Sequence, residues 1–198
     1  KPETEDSETE PPLVITRRQF KRDGRGYLDD RRAHLHVVDV ATGESRQITD
    51  GPYDDASPSW SPDGREIAFV SNRTEEPDGN SNSDIFLVPS GGGEPRQLTT
   101  NPGADRSPAW SPDGRWIAHV STLKPELIWY ATDHLAVIPA DGGEAQVLSS
   151  ALDRSVRSPS FTLDSKAIRF LLEDSGNQHL ASIPVGGGAV TRVVAGDR

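Results

Sequence analysis

One segment of the chain has residue types and a spacing that resemble those of a calcium-binding loop. Four oxygen-bearing side chains stand two residues apart in it: Asp78, Asn80, Asn82 and Asp84. A calcium loop of this kind also has glycine at its sixth position and glutamate at its twelfth. Here those positions hold Ser83 and Pro89. We therefore predict a polar hairpin loop rather than a calcium site.

Histidine is the other common metal ligand, and three of the five histidines share one position of an internal repeat: His34, His134 and His179. Equivalent positions in successive repeats are spread around a fold, so these side chains do not converge as metal ligands must. His119 stands where two other repeats have phenylalanine, which predicts a packed strand residue. We expect no metal and no cofactor.

The chain offers no residue set for nucleophilic or acid–base catalysis. It has no cysteine, and it lacks the Gly-x-Ser-x-Gly sequence that presents a hydrolase serine. Asp54 and Asp55 are adjacent, so on a strand they face opposite ways. Glycine clusters such as 91–93 are followed neither by Lys-Ser/Thr nor by a helix, which favours hairpin turns over phosphate binding. We therefore predict no catalytic residues in this chain.

Charge and hydropathy exclude two classes of partner. The net charge is −10, and the first ten residues carry five acids against one lysine. A protein that binds nucleic acid through its phosphates needs clustered basic residues, so we expect no nucleic acid. The longest apolar runs are a few residues, whereas a membrane helix needs about 20, so we expect no membrane partner. The lack of cysteine suits either redox compartment, and the cytoplasm is favoured.

An internal repeat is the strongest signal in the sequence. Ser57-Pro-Ser-Trp-Ser-Pro-Asp-Gly64 recurs at 107–114 and, in altered form, at 158–165. Its aromatic anchors Trp60, Trp110 and Phe161 lie 50 and 51 residues apart. Two further series keep similar steps: Ile67, Ile117 and Ile168, and Leu35, Ile85, Leu135 and Leu180. A period of 40–50 residues composed of short strands is typical of a β-propeller.

The repeat predicts an all-β fold of about four blades, each with four antiparallel strands. The units run over about 13–49, 57–99, 107–149 and 157–194, after an acidic tail or linker at 1–12. Residues 13–49 supply strands two to four of their unit, because no Trp-Ser-Pro-Asp precedes them. The chain does not begin with methionine. We therefore expect a part of a longer propeller.

The repeats resemble TolB-type propeller repeats and, more closely, the propeller of the prolyl oligopeptidase family, in particular its acylaminoacyl-peptidase and dipeptidyl-peptidase-like members. The segments that carry this resemblance are Arg22-Asp-Gly-Arg-Gly-Tyr27, His34-Leu-His-Val-Val-Asp39, Thr42-Gly-Glu44 and Ile67-Ala-Phe-Val-Ser-Asn-Arg73. In that family a seven-bladed propeller covers a separate α/β-hydrolase domain with a catalytic Ser, Asp and His. The resemblance implies that this chain is the second half of such a propeller. Its partners would be the missing half, the hydrolase domain and a peptide substrate.

The connections that enter each inner strand should line one rim of the propeller. They supply the candidate binding residues Asp105, Arg106, Asp153, Arg154 and Arg157. These side chains could form salt bridges with a partner domain or bind a peptide end. The alternative is a solvated rim whose ion pairs contribute about 0–1 kcal/mol each. We expect Trp60 and Trp110 to pack between blades and Trp129, in the loop 124–132, to be an exposed contact residue.

Two functions from different classes fit these observations, and a third is less favoured. The first is a non-catalytic propeller that caps the active site of a serine peptidase and screens peptides by size. The second is a TolB-like propeller that binds a protein partner and belongs to no enzyme, and the third is a closed four-bladed lectin-like monomer. An open half-propeller would expose two blade faces, so we also expect self-association.

Overall fold

The computed structural model describes Pro12 and residues 14–194, so most of the acidic tail at 1–12 lies outside the described residues. The chain divides into two units, 1–31 and 32–198. The first contains a short antiparallel hairpin, β1 (Lys21–Arg22) and β2 (Gly26–Tyr27). The rings of Phe20 and Tyr27 stack there with their centroids 6.5 Å apart.

The described part of the second unit, 32–194, contains one two-stranded sheet and three four-stranded sheets. The two-stranded sheet consists of β3 (His36–Val38) and β4 (Ser45–Gln47). The next sheet consists of β5 (Asp55–Trp60), β6 (Glu66–Ser71), β7 (Asp84–Pro89) and β8 (Arg96–Gln97). The third consists of β9 (Asp105–Trp110), β10 (Trp116–Thr122), β11 (Asp133–Pro139) and β12 (Gln146–Val147). The last consists of β13 (Val156–Phe161), β14 (Ala167–Asp174), β15 (Asn177–Pro184) and β16 (Thr191–Val194).

Each four-stranded sheet follows the chain order and is antiparallel throughout, which confirms the predicted repeat of propeller blades. We call these sheets the first, second and third blades. Residues 13–49 differ from the expected three-stranded unit, because their described part forms two separate two-stranded sheets. A 3₁₀ segment, Pro125–Tyr130, lies between β10 and β11 of the second blade and is kinked at Ile128, where φ is 51°. No helix in the described part of the chain is long and apolar enough to span a bilayer.

The repeated Ser-Pro dipeptide bends the inner strand of every blade. Ser57, Ser107 and Ser158 have φ between 51° and 54°, and the pairing register shifts at each of them. Proline has no backbone N–H to donate to the neighbouring strand, so a strand tolerates it at a β-bulge. The same local chemistry therefore gives each inner strand the same bend.

The turn after each inner strand is held by one hydroxyl group and one carboxylate. Ser61 Oγ donates to Asp63 Oδ1 at 2.7 Å and accepts the backbone N–H groups of Arg65 and Glu66. In the third blade Thr162 and Asp164 make the corresponding side-chain bond at 2.6 Å. Threonine supplies the same hydroxyl group as serine, which explains why the altered copy of the motif forms the same turn.

Neighbouring blades meet through buried aliphatic and aromatic side chains. Trp110 packs against the cluster between the first and second blades, and its indole nitrogen donates to the carbonyl of Ser59 at 3.1 Å. This agrees with the predicted packing role. Trp60 differs, because it is 49% exposed. The sheet before it consists of β3 and β4, so the described residues place no equivalent of β5 beside that indole.

An arginine of β4 and an arginine of β8 also contact the blade that follows each strand. Arg46 in β4 donates to the carbonyl oxygens of Ser90, at 3.0 Å, and Gly91. Arg96, which is 50 residues further on, donates to the carbonyl of Ala140 at 3.0 Å. Each arginine thus binds the hairpin turn between the last two strands of the next blade.

Candidate functional site

The candidate site lies along one rim of the blades, which we call the connection rim. It consists of the connections that enter the inner strands, such as 150–155, and the loops between the second and third strands, such as 123–132. In an antiparallel sheet the start of one strand lies beside the end of its neighbour. Both kinds of loop therefore lie at the same edge of each blade.

The third blade carries a charged cluster on this rim. Arg154 Nε donates to Asp174 Oδ1 at 2.9 Å, and Arg192 donates to Asp174 Oδ2. The hydrogen bond from Arg154 is the main reason that the pKa of Asp174 falls to about 2, helped by Ser175 and Arg192. The same carboxylate raises the pKa of Arg154. Asp174 and Arg154 are therefore both charged over the physiological pH range.

A cavity of about 490 Å³ adjoins this cluster. Its lining includes Thr132 from the second blade and Asp153, Arg154 and Asp174 from the third. Guanidinium and carboxylate groups on one wall can bind the charged end of a peptide or a charged side chain.

The five candidate binding residues do not form one group. Asp153 is exposed and lies 3.7 Å from Arg154, and Arg157 pairs with Glu173 at 2.9 Å. Arg106 donates to Asp133 at 2.7 Å on the second blade. Their part in binding remains a prediction.

Asp105 is the exception among the five, because it is buried and only 1% exposed. It begins strand β9, and its side chain lies 3.8 Å from His119 instead of at the solvent-facing rim. Successive side chains of a strand point to opposite faces, so Asp105 and Arg106 cannot both face the same way.

An exposed apolar loop stands on the same rim. Trp129 is 92% exposed, as the sequence predicts, and Tyr130 is 89% exposed. Leu127 and Ile128 are exposed beside them, and sequence reasoning did not single them out. The signal for them was the loop itself, because no other unit has so many large apolar residues between its second and third strands. A contiguous exposed apolar patch is typical of a protein contact site.

The segment singled out for its calcium-like spacing forms a loop with internal hydrogen bonds. Asn80 Nδ2 donates to Thr74 Oγ1 at 2.9 Å, and Asn80 Oδ1 accepts the backbone N–H of Asn82 at 2.8 Å. Asp84 is turned inward and bonded by Thr99 and Gln97. Within the described ranges, no group of three or more His, Asp or Glu side chains could hold a metal ion.

Comparison with known proteins gives one family match and several relatives. The family model described as the TolB beta propeller domain matches residues 27–196. A curated protein of Bacillus subtilis (strain 168), named "Uncharacterized peptidase YuxL", is 32% identical over 77 residues, which is 39% of this chain. The match spans 12% of that protein, so the chain corresponds to a small part of it.

Solved structures share the blade arrangement. A puromycin-hydrolyzing peptidase of Mycobacterium tuberculosis superposes with a TM-score of 0.65 at 19% identity, over 86% of this chain and 27% of that one. TolB from Acinetobacter baumannii superposes with a TM-score of 0.64 at 20% identity, over 82% of this chain and 37% of that one. At these identities the likeness shows the fold.

Proposed function

This chain belongs to the TolB beta propeller domain family, and on that premise we propose that it is a non-catalytic propeller portion of a prolyl oligopeptidase-type serine peptidase. It caps the active site and screens peptide substrates by size. The rest of the propeller and an α/β-hydrolase domain, which carries the catalytic residues, belong to the same protein.

The observation that carries this proposal is the 32% identity to a curated protein named as a peptidase. The likeness to a peptidase that hydrolyses puromycin supports it through the fold. The sequence of this chain has no Gly-x-Ser-x-Gly.

The close packing of the blades supports the proposed size selection. Four-stranded sheets packed by buried side chains form a rigid wall, and a folded chain cannot pass where a short extended peptide can. The barrier is steric, so it acts on KM and on access rather than on the chemical step. The charged cluster at Arg154 and Asp174 and the exposed loop around Trp129 are the surfaces that a passing peptide or the hydrolase domain would contact.

Kinetics of the full-length protein test this proposal. We expect the reading frame that contains this sequence to encode an α/β-hydrolase with Gly-x-Ser-x-Gly, and the whole protein to cleave short peptides in preference to long ones. Replacing Trp110 by alanine weakens the contact between two blades. It should raise kcat/KM for a long peptide while kcat/KM for a dipeptide anilide stays unchanged. Leu163→Ala, at an exposed turn of the third blade, serves as the control.

Three results would contradict the proposal: an unrelated neighbouring domain, equal rates for short and long peptides in the wild type, or turnover by the 198-residue chain alone. The first is read from the sequence of the reading frame, and the other two are measured with chromogenic peptides and an active-site serine reagent.

The second candidate is a TolB-like propeller that docks a protein and belongs to no enzyme. The exposed loop with Trp129 and Tyr130 favours it, because large aromatic side chains dominate protein interfaces. The sequence beyond the propeller distinguishes the two, since this candidate requires no hydrolase domain.

A further inference from the structure

Two buried aspartates occupy equivalent positions in the first two blades, and one of them lacks a cationic partner. Asp55 and Asp105 each begin an inner strand, 50 residues apart, and their side chains are 0% and 1% exposed. An ionised carboxylate in the interior is costly unless it is paired. The two blades deal with this cost differently.

In the first blade Arg73 neutralises Asp55. Its Nη2 atom donates to Asp55 Oδ1 at 3.2 Å. Its guanidinium carbon lies 4.9 to 5.5 Å from the ring centroids of Tyr53, Phe69 and Phe86. The aromatic faces and the carboxylate together form a site for one guanidinium group.

In the second blade every one of these partners is changed. Four positions that are 50 residues further along the chain hold a smaller or uncharged side chain: Gly103 for Tyr53, His119 for Phe69, Leu123 for Arg73 and Ala136 for Phe86. The loss of the Phe86 ring and of the arginine leaves a cavity of about 280 Å³. Asp105, His119, Leu123 and Ala136 line this cavity.

Two residues that line this cavity each contain a buried polar atom without a partner. In the described part of the chain, Asp105 Oδ2 and His119 Nδ1 are the buried side-chain atoms that make no hydrogen bond. Asn101 donates to Asp105 Oδ1 at 3.3 Å, which leaves the other carboxylate oxygen unpaired. Burial lowers the pKa of His119, so the ring is neutral near pH 7 and one of its nitrogens can accept a hydrogen bond.

The charge around the cavity is negative. Its ionisable lining residues are Asp105, His119 and Glu144, and Asp84 interacts electrostatically with Asp105. No lysine or arginine is among the lining residues. Thr100, Glu144 and Ala145 are exposed, so the cavity can be reached from solvent.

We propose that this cavity between the first and second blades binds a guanidinium group, which occupies at Asp105 the place that Arg73 occupies at Asp55. The group is the side chain of an arginine on a bound chain, or a small free guanidine. A guanidinium offers parallel N–H donors to the carboxylate and a further donor to the histidine nitrogen. This inference is independent of the proposed peptidase function.

Nuclear magnetic resonance titration of the 198-residue chain tests the proposal, with the His119 ring signals as the readout. Methylguanidinium at millimolar concentration should shift them saturably. N-methylurea, which is neutral and of similar shape, should not. Acetyl-arginine methylamide identifies the source: binding as tight as methylguanidinium points to an arginine side chain, and absence of binding points to a free guanidine.

Three variants separate the site from general charge effects. Asp105→Asn should weaken methylguanidinium binding about tenfold or more, because it removes the charged acceptor. Ala136→Phe restores the ring found in the first blade and should abolish binding without changing any charge. Glu94→Gln removes one negative charge at the position equivalent to Glu144, 50 residues earlier, and should leave the affinity unchanged.

The proposal is overturned if methylguanidinium and N-methylurea shift the signals alike, or if Asp105→Asn binds as tightly as the wild type. Circular dichroism checks that each variant is folded. If Asp105→Asn does not fold, Ala136→Phe decides, since undiminished binding to that variant also overturns the proposal.

Discussion

The indole N–H of Trp110 donates to the main-chain carbonyl of Ser59, 3.1 Å away in the preceding blade. One side chain thus combines apolar packing with a hydrogen bond across the boundary between two repeats. In the blade before, Trp60 occupies the same repeat position and is half exposed. The energetic role of this tryptophan therefore depends on the blade that precedes it.

Replacing Trp110 by phenylalanine should lower the free energy of unfolding by about 1 kcal/mol, because the hydrogen bond to Ser59 is lost. Alanine should cost about 2 kcal/mol or more, since packing is also lost. Urea denaturation followed by circular dichroism measures both. Trp129→Phe is the control, and an effect there as large as at Trp110 would contradict this account.

Replacing Arg73 by methionine should destabilise the chain by about 3 kcal/mol, because it leaves the buried Asp55 carboxylate without its guanidinium. Arg65→Met provides a matched control, because Arg65 is exposed and pairs with Asp63 at 3.6 Å. We expect the Arg65→Met variant to lose about 0.5 kcal/mol or less of unfolding free energy. A similar loss of unfolding free energy in both variants would show that the buried Arg73–Asp55 pair stabilises the fold no more than an exposed pair does.

Asp84 should make stability depend on pH between about 4 and 6. Burial raises its pKa from an ordinary 3.8 to about 6; the hydroxyl of Thr99 and the amide of Gln97 oppose this shift, and the charge of Asp105 adds to it. The folded state thus favours the protonated carboxyl. The free energy of unfolding should therefore fall as pH rises from about 4 to 6 and then become constant.

The measurement is the difference in unfolding free energy between wild type and Asp84→Asn across this range. The subtraction matters because burial also lowers the pKa of His119. Protonation of His119 therefore lowers the unfolding free energy as pH falls, which opposes the effect of Asp84. A difference that does not change with pH would refute the role given to Asp84.

Gly64→Ala should cost about 1–2 kcal/mol, because Gly64 has φ 71° and an added Cβ has open space around it, so the loss is conformational. The equivalent residue of the third blade is Ser165, with φ 59°. Its hydroxyl oxygen accepts the backbone N–H of Asp113 at 3.1 Å. Ser165→Gly removes both the strain and this bond, so we expect almost no net change in the same denaturation assay.

We also predict that the isolated chain self-associates through the sheet of β3 and β4 and the adjoining end of strand β5. Trp60 and Val38 are half exposed, and Val40 is almost fully exposed. In sedimentation velocity experiments the sedimentation coefficient should rise with protein concentration, and Trp60→Glu should reduce that rise. Leu163→Glu, at an exposed turn of the third blade, should not, and a concentration-independent monomer in the wild type would disprove the prediction.

The spacing of repeated residues was enough to predict the blades, because it reflects local chemistry. Ser61, Asp63 and their equivalents form turns from their own side chains, so the turn can be recognised without knowing its surroundings. Trp129 was also predictable, since an aromatic residue in a long loop has nothing nearby to cover it.

Other features depend on contacts between blades and could not be derived from one repeat at a time. Asp105 was expected at the rim because it lies in a connection, but the first residue of strand β9 points inward. Its environment is set by Ala136 and Leu123, which are far away in sequence. Only a comparison of whole blades, position by position, shows that the second has lost the cation that the first retains.

The contacts of Arg46 and Arg96 have a consequence for the order in which the blades fold during translation. Each arginine is synthesised about 44 residues before the carbonyl groups that it binds. On the ribosome, an emerging blade would therefore meet donors already presented by the one made before it. The blades would then fold in the order of translation. The blade made last would have the fewest stabilising contacts, and the blade before it would supply the donors on which it packs.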